Sequence, residues 1–206
     1  MITMNRVLRY LALLLIPLAL TSCLSFSGGG STRVAVVGDS ITNYSTLQVA
    51  AALHDYSYSV EGIPGIDLKD GRTRLVKPAV EADPDVLVIE LGINSAREVW
   101  NSDDLPYLEG VLHDADAIGC VIWVTPSALQ PSYYDHLGEA TLADRIEKFK
   151  ASLRKRLPRH PNQRLADYSE VELMYPSRFT EDHLHPTAEG KRAYADYVGD
   201  QVAQGC

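Results

Sequence analysis

The stretch Arg33-Val34-Ala35-Val36-Val37-Gly38-Asp39-Ser40-Ile41-Thr42, residues 33–42, decides the fold of this chain. Its apolar part is short and mostly β-branched, which is typical of a strand buried on both faces. Gly38 permits a tight turn out of the strand, and a helix is expected to follow. Ser40 then lies near a helix N-terminus, where backbone N–H groups and the helix dipole favour a developing anion. A serine there is also often only an N-cap, so the stretch alone leaves both roles open.

Short apolar runs alternate with longer amphipathic segments along the rest of the chain. The strand-like runs cover residues 33–37, 58–61, 86–91, 120–125 and 164–168, and the helix-like segments cover residues 46–55, 68–82, 105–118, 140–157 and 187–202. Helices between strands act as right-handed crossovers and produce a parallel sheet that is covered on both faces. The pattern predicts one α/β domain, a three-layer α/β/α sandwich around a parallel, flavodoxin-like five-stranded sheet.

The segment 140–157 carries an apolar stripe with spacings of three and four residues, which predicts a surface helix packed on the sheet. The members of the stripe are Leu142, Ile146, Phe149, Leu153 and Leu157. The charged residues between them are expected to face mostly solvent: Arg145, Glu147, Lys148 and Lys150.

The N-terminal residues have the pattern of an export signal. Arg6 and Arg9 precede an apolar run over residues 11–20, which is too short to span a membrane comfortably, and Leu20-Thr21-Ser22-Cys23 closes it. This ending resembles the lipobox of bacterial lipoproteins. The resemblance implies that residues 1–22 are a signal peptide, and that lipid on Cys23 anchors the protein in a membrane of the bacterial cell envelope. An uncleaved anchor and an ordinary secretory signal are the alternatives, and both still export the domain.

Residues 23–32 comprise the lipidated cysteine and a Gly- and Ser-rich segment without periodicity. This composition predicts a flexible tether before a domain at 33–206.

Cleavage before Cys23 removes Arg6 and Arg9 and changes the net charge from −8 to −10. Such an acidic surface argues against nucleic acid as a partner and favours a neutral substrate. Oligomeric state is not indicated.

Two cysteines remain after Cys23. Cys120 lies in a predicted strand and Cys206 is the C-terminal residue. An exported protein can form a disulfide between them, but a buried thiol and a free terminal thiol fit the sequence equally well.

In a parallel sheet of this kind, ligands bind at the carboxyl ends of the strands, so the residues after each run are the candidates for a site. Gly62 and Gly65 follow the second run, and Asn94 follows the third. A loop glycine is usually a turn residue, but its N–H can approach a substrate closely because no Cβ intervenes. Asn94 can cap the next helix or donate its side-chain amide to an oxyanion.

The segment Asp182-His183-Leu184-His185-Pro186 places a carboxylate three residues before an imidazole. One turn can therefore bring Asp182 to His185, where it would fix the tautomer and stabilise the protonated ring. A metal site is an alternative, but only three clustered ligands are visible without a further group at ligand-like spacing, so no metal is predicted. In a third interpretation Asp182 caps the last helix and both histidines face solvent.

The order Gly-Asp-Ser, then Gly, then Gly-x-Asn, then Asp-x-x-His resembles the SGNH hydrolase family, also called GDSL esterases and lipases. The match covers the chain from Arg33 to its end. The resemblance implies a serine hydrolase that needs no cofactor and acts on ester bonds. It implies Ser40 as the nucleophile, His185 as the base and Asp182 as the partner that orients the base.

The same resemblance implies an oxyanion hole made by the backbone N–H groups of Ser40 and Gly65 and by the side-chain amide of Asn94. Gly62 lies in the same loop and is the alternative to Gly65. The family often has an aspartate after the asparagine, whereas this chain has Ser95, which puts a local supporting contact in doubt.

The substrate is suggested by the predicted location and by one loop. Tyr133 and Tyr134 follow the fourth strand and are candidates for stacking on a sugar or lining an acyl groove, although loop aromatics also serve plain packing. Export favours short acyl or O-acetyl esters of envelope glycans or lipids. An O-acyltransferase using the same site and a catalytically silent surface-binding lipoprotein are the alternatives.

Overall fold

Five parallel strands form the centre of the fold. The computed structural model describes residues 24–100, 102–125, 141–169, 176–180 and 184–206. The strands are β1 Arg33–Gly38, β2 Ser57–Gly62, β3 Val86–Glu90, β4 Cys120–Thr125 and β5 Gln163–Asp167. They pair in the order β2-β1-β3-β4-β5, which is the flavodoxin-like order, so the predicted sheet is confirmed.

Helices connect the strands and cover both faces of the sheet. They are α1 Ser40–Tyr44, α2 Thr46–Ala52, α3 Leu68–Gly71, α4 Lys77–Glu81, α5 Ile93–Val99, α6 Leu105–Ala115, α7 Leu142–Arg156 and α8 Ala188–Gln204. A π-helical turn, Arg72–Val76, joins α3 to α4. It precedes Pro78, which has no N–H to donate and whose ring crowds the preceding turn, so the helix widens there. Short 3₁₀ turns span Leu157–Arg159 and Pro176–Arg178.

Alternating residues of the strands build two separate cores. In β1, Ala35 and Val37 contribute to one core, while Val34 and Val36 contribute to the other. All four side chains are fully buried, and burial of such side chains stabilises the fold by about 1.5–3 kcal/mol each for the valines. A sheet buried on both faces leaves its edges and strand ends as the places where function can reside, and Ser40 stands two residues after the end of β1.

Helix α7 packs on the sheet as predicted, but two of its charged residues do not face solvent. Arg145 is 4% exposed, and its Nε donates to the Ala96 carbonyl oxygen at 2.7 Å. Lys150 is 2% exposed, and its Nζ lies 2.9 Å from both Asp167 Oδ2 and Ser169 Oγ. The prediction was wrong for these two residues because neighbouring elements supply the acceptors that offset desolvation.

The segment before β1 is also different from the prediction. Ser27 and Tyr58 exchange two backbone hydrogen bonds of 2.7 Å, and Leu24 is buried in the core. The composition predicted a flexible tether over 24–32, but β2 is an edge strand whose unpaired backbone groups accept a partner. The folded domain therefore includes this segment, whereas residues 1–22 and Cys23 lie outside the described residues. Over the part of the chain that is described, no helix has the length and apolar character needed to cross a membrane.

A disulfide joins Cys120, the first residue of β4, to the C-terminal Cys206. Their Cα atoms are 5.5 Å apart, within the range of a disulfide. Of the two arrangements that the sequence left open, the structure has the bridge. It lies at the amino end of β4, opposite the strand ends that carry the candidate site.

Removing this bridge with the double variant C120S/C206S is expected to lower the free energy of unfolding by about 2–5 kcal/mol, since the unfolded chain is then no longer constrained. Urea unfolding followed by circular dichroism measures the change. Ester hydrolysis by the folded variant should match that of the wild type. Unchanged stability, or lost activity in a fully folded variant, would contradict this view of the bridge.

Candidate active site

The turn from β1 into α1 presents Ser40. Asp39 caps the helix, and its Oδ1 accepts the Ile41 N–H at 3.0 Å, so Ser40 is the first helical residue and not the cap. A side chain at Gly38 would overlap the side chain of Thr42, which explains why glycine ends the strand. The Ser40 side chain is thereby left for another partner.

That partner is His185, whose Nε2 lies 3.1 Å from Ser40 Oγ although the residues are 145 positions apart. The loop that carries His185 is fixed on both sides. The Thr180 N–H donates to the His185 carbonyl oxygen at 2.8 Å, and the Thr187 N–H donates to the Arg178 carbonyl oxygen at 2.8 Å. The structure thus brings the predicted nucleophile and base together.

Thr187 caps the last helix, α8, by accepting the Gly190 N–H at 3.3 Å. The interpretation in which Asp182 caps that helix is therefore wrong. Asp182 and His183 lie outside the described residues, so the predicted contact between Asp182 and His185 stays a prediction. Over the described part of the chain, no group of three or more acidic, histidine or cysteine side chains is arranged to hold a metal.

Asn94 is buried and connects three loops at the carboxyl edge. Its Nδ2 donates to Asp39 Oδ2 at 3.1 Å and to the Ile66 carbonyl oxygen at 3.0 Å. Arg97 Nη1 donates to Asn94 Oδ1 at 3.4 Å. Asn94 is the second residue of α5, and Gly92 precedes that helix with a φ of +125°, so Asn94 does not cap it. Both amide hydrogens of Asn94 are engaged within the protein in this state.

The two candidate glycines differ in their surroundings. Gly62 ends β2, and a side chain there would overlap the Asn43 backbone, so close packing accounts for this glycine. Gly65 is exposed with a φ of +76°, a conformation that favours glycine, and a Cβ there would meet no atom within 4 Å. Within the described hydrogen bonds, the Gly65 N–H donates to no protein acceptor.

Ser95 supports the same loop. Its buried Oγ accepts the Leu68 N–H at 3.0 Å, which ties the start of α3 to the start of α5. The serine that departs from the family pattern therefore makes a local contact of its own with the loop that carries Gly65.

Sequence reasoning missed Glu90, the last residue of β3. It is 1% exposed, and its Oε2 accepts the Asp39 N–H at 3.2 Å and the Thr42 hydroxyl at 2.9 Å. Burial raises the pKa of Asp39 to about 6, and burial together with the Asp39 carboxylate raises the pKa of Glu90 well above its usual range. The signal was present, because Glu90 is the only charged residue in the apolar run 86–91.

These raised pKa values predict how stability depends on pH. The folded protein holds protons on Asp39 and Glu90 that the unfolded chain releases near pH 4, so the pair favours folding below that pH. The Asp39 part is lost as the pH rises through about 6, its pKa in the folded protein, and the Glu90 part is lost as the pH rises through its own raised pKa. Between pH 4.5 and 8 the wild type should lose stability relative to E90Q, measured as the free energy of unfolding in urea. Parallel pH profiles of the two proteins would contradict the assignment.

Tyr44 is a second residue that the sequence did not single out. Its ring is edge-on to His185, with centroids 5.1 Å apart, and the residue is 44% exposed. Lys191 Nζ lies 5.8 Å from the centroid of the Tyr44 ring. An exposed aromatic side chain thus borders the histidine. Tyr133 and Tyr134, the predicted substrate contacts, lie outside the described residues.

A serine within hydrogen-bond distance of a histidine, at the carboxyl edge of a parallel α/β sheet, defines the class of α/β serine hydrolases. The chain belongs to the GDSL-like lipase/acylhydrolase family, whose model matches residues 27–193. It is an SGNH-type enzyme that acts on ester bonds, as the motifs predicted. No curated protein matches the sequence significantly.

Solved structures share the fold at low sequence identity. The C-terminal catalytic domain of peptidoglycan O-acetyltransferase A from Streptococcus pneumoniae is 19% identical with a TM-score of 0.62, over 85% of this chain and 93% of that one. The acetylxylan esterase Axe2 from Geobacillus stearothermophilus is 16% identical with a TM-score of 0.63, over 82% and 93%. A proposed acylhydrolase from Bacteroides fragilis is 23% identical with a TM-score of 0.67, over 89% and 90%.

Proposed function

We propose that the protein hydrolyses short-chain carboxylic esters through an acyl-enzyme on Ser40. His185 takes the Ser40 proton as Oγ attacks the ester carbonyl, and then gives it to the departing alcohol. Water activated by the same histidine attacks the acyl group, releases the acid and restores Ser40. Asp182 orients His185 in this scheme. The 3.1 Å separation of Nε2 and Oγ is the observation that carries the proposal, because proton transfer needs hydrogen-bond reach.

The oxyanion is held by the N–H groups of Ser40 and Gly65 and by Asn94. The exposed position of Gly65 and the packing role of Gly62 support the choice between the two glycines. Asn94 contributes when one of its amide hydrogens turns from the Ile66 carbonyl oxygen to the oxyanion, while Asp39 keeps the other. This exchange uses a hydrogen bond made only in the transition state, which is the kind that accelerates a reaction.

Replacing Asn94 by alanine is expected to lower kcat by about 10²–10³-fold with little change in KM, since one oxyanion donor is lost. Steady-state hydrolysis of a nitrophenyl acetate measures the effect. The control is N162A, at the other end of the sheet, which should keep kcat within about twofold. A variant N94A with wild-type kcat would remove Asn94 from the oxyanion hole.

The proposed substrates are O-acetyl or other short acyl esters of envelope glycans or lipids. Two observations favour acetylated glycans. The proteins that share the fold include an acetylxylan esterase and a peptidoglycan O-acetyltransferase domain. Tyr44 also offers an exposed aromatic face beside His185, where the departing alcohol receives its proton, and such faces stack on sugar rings.

A substrate screen tests this proposal. Hydrolysis of nitrophenyl acetate, butyrate and octanoate gives the acyl preference, and acetate release from acetylated xylo-oligosaccharide and O-acetylated peptidoglycan tests the alcohol part. We expect the acetyl ester to exceed the octanoyl ester at least about tenfold in kcat/KM, and Ser40→Ala to lower every activity by about 10⁴-fold or more. A preference for octanoate, or no acetate from either glycan, would contradict the proposed substrate class.

Acyl transfer to a sugar hydroxyl is the second candidate, because one protein of the same fold is an O-acetyltransferase and both reactions share an acyl-enzyme. Measuring free acetate and acetylated acceptor in the presence of unacetylated glycan separates them. Hydrolysis predicts free acetate as the main product at every acceptor concentration.

We propose further that the enzyme is exported and held at a bacterial membrane by lipid on Cys23. Several acyl chains contribute about 0.8 kcal/mol per buried methylene, whereas a single chain anchors only marginally. Expression of the full chain and of Cys23→Ser in a bacterial host, followed by membrane fractionation, tests this anchor. Equal distribution of the two proteins between membrane and soluble fractions would contradict it.

A further inference from the structure

Two carboxyl groups are buried under Ser40. Asp39 holds the Asn94 amide in the mechanism above, whereas Glu90 has no part in it. The Asp39 N–H donates to both the carbonyl oxygen and Oε2 of Glu90, each at 3.2 Å. The two residues are 0% and 1% exposed, so water does not reach them. Two carboxyl groups that are both ionised would be unfavourable in such a buried position beside a nucleophile.

The burial of Glu90 and the lack of a donor to its Oε1 among the described residues indicate that it holds a proton. The Thr42 hydroxyl donates to Glu90 Oε2 at 2.9 Å, and the Tyr194 hydroxyl lies 2.9 Å from Thr42 Oγ1 and donates to it in turn. Glu90 Oε1 is buried and has no partner among the described residues. Two neighbouring carboxylates without water cannot both be ionised. A proton on Glu90 removes one buried charge, and it can be donated to the Asp39 carboxylate, with which the Glu90 side chain is hydrogen-bonded.

The surroundings favour Asp39 as the ionised member. Both of its oxygens accept hydrogen bonds, from the Ile41 N–H at 3.0 Å and from Asn94 Nδ2 at 3.1 Å. The positive charge of Arg97, and of His185 when protonated, also acts on Asp39. Glu90 faces no positive group among those acting on it, and Tyr194 on α8 is neutral. Asp39 is therefore the acceptor of the pair and Glu90 is the donor.

We propose that Glu90 is a positioning residue of this enzyme: as a neutral acid it donates to Asp39 and keeps Asp39 an acceptor that orients Asn94 and the first turn of α1. The inference rests on the proposed function, because it assigns Asn94 and Ser40 their roles. Without the Glu90 proton, Asp39 would take one up itself, and a protonated Asp39 no longer offers both oxygens as acceptors, Oδ2 to the Asn94 amide and Oδ1 to the Ile41 N–H. The oxyanion donor and the nucleophile then lose a shared support.

Three variants test this inference. E90Q puts an amide N–H where the acid O–H was, so kcat should stay within about threefold of wild type. E90L removes the donor at similar volume and should lower kcat about 10²–10³-fold with little change in KM, as for a lost oxyanion donor. Y194F changes the far end of the same buried network and is the matched control, with kcat within about twofold. Circular dichroism and urea unfolding verify that each variant is folded.

The pH profile adds a readout that a purely structural role would not change. Wild-type kcat should fall on the alkaline side as Glu90 loses its proton, while E90Q, which cannot ionise there, should keep its kcat to higher pH. Equal loss of kcat in E90Q and E90L would overturn the donor role, and wild-type kcat in folded E90L would overturn positioning. If E90L does not fold, the pH profile of E90Q decides. A profile that superimposes on that of the wild type overturns the inference.

Ser40→Ala is measured alongside, because full activity in that variant would refute the esterase proposal independently of Glu90.

Discussion

Ser40→Ala is expected to lower kcat for a short-chain ester by about 10⁴-fold or more while the protein stays folded. The hydroxyl oxygen is the atom that forms the acyl-enzyme, and it lies 3.1 Å from His185 Nε2, the base that takes its proton. The variant should still hydrolyse the ester somewhat faster than the uncatalysed reaction in water, because substrate binding and the oxyanion donors are unaffected. Steady-state hydrolysis of nitrophenyl acetate, with circular dichroism on the same sample, measures the loss.

Ser45→Ala is the matched control for this experiment. Ser45 is fully buried five residues further along, and its Oγ has no partner among the described residues. Loss of that hydroxyl should leave kcat within about twofold of the wild type. Similar rates for Ser40→Ala and the wild type would show that another group performs the reaction.

His185→Ala is expected to lower kcat by about 10⁴-fold or more as well, because the Ser40 hydroxyl is a weak nucleophile without its base. The double variant S40A/H185A should lose no more than either single variant, since the two side chains act as one unit. The same nitrophenyl acetate assay at pH 7 measures all three. His54→Ala is the control, because the His54 side chain is 73% exposed and pairs with Asp55 at the surface.

Two outcomes would contradict this coupling. If the losses of the single variants multiplied in the double variant, Ser40 and His185 would act independently. If His185→Ala retained activity at neutral pH, a different base would serve Ser40.

The centre of the sheet was predictable because β1, β3 and β4 are short apolar runs bounded by glycine, charged residues or proline. Val34–Val37 leaves no polar face, so a buried parallel strand was the consistent interpretation. The candidate site followed from the same rule, because Ser40, Gly65 and Asn94 stand directly after strands that must meet at one edge. Short helices such as α1 and α5 left no periodic pattern over five and seven residues.

The remaining features depend on contacts between residues distant in sequence. Lys150 is indistinguishable from an exposed lysine until Asp167 and Ser169 are placed beside it. The segment 24–32 has a linker composition, yet the open edge of β2 pairs with it. The partnership of Asp39 with Glu90 requires the register of β1 on β3, in which Gly38 lies opposite Glu90. None of these partners is encoded by local spacing.

The most direct test of the central claim is to treat the protein with a fluorophosphonate and map the adduct by peptide mass spectrometry. A nucleophilic serine activated by His185 predicts one adduct, on Ser40, that is lost in both Ser40→Ala and His185→Ala. An adduct on another residue, or no adduct on folded wild-type protein, would contradict the claim that Ser40 and His185 form the catalytic pair.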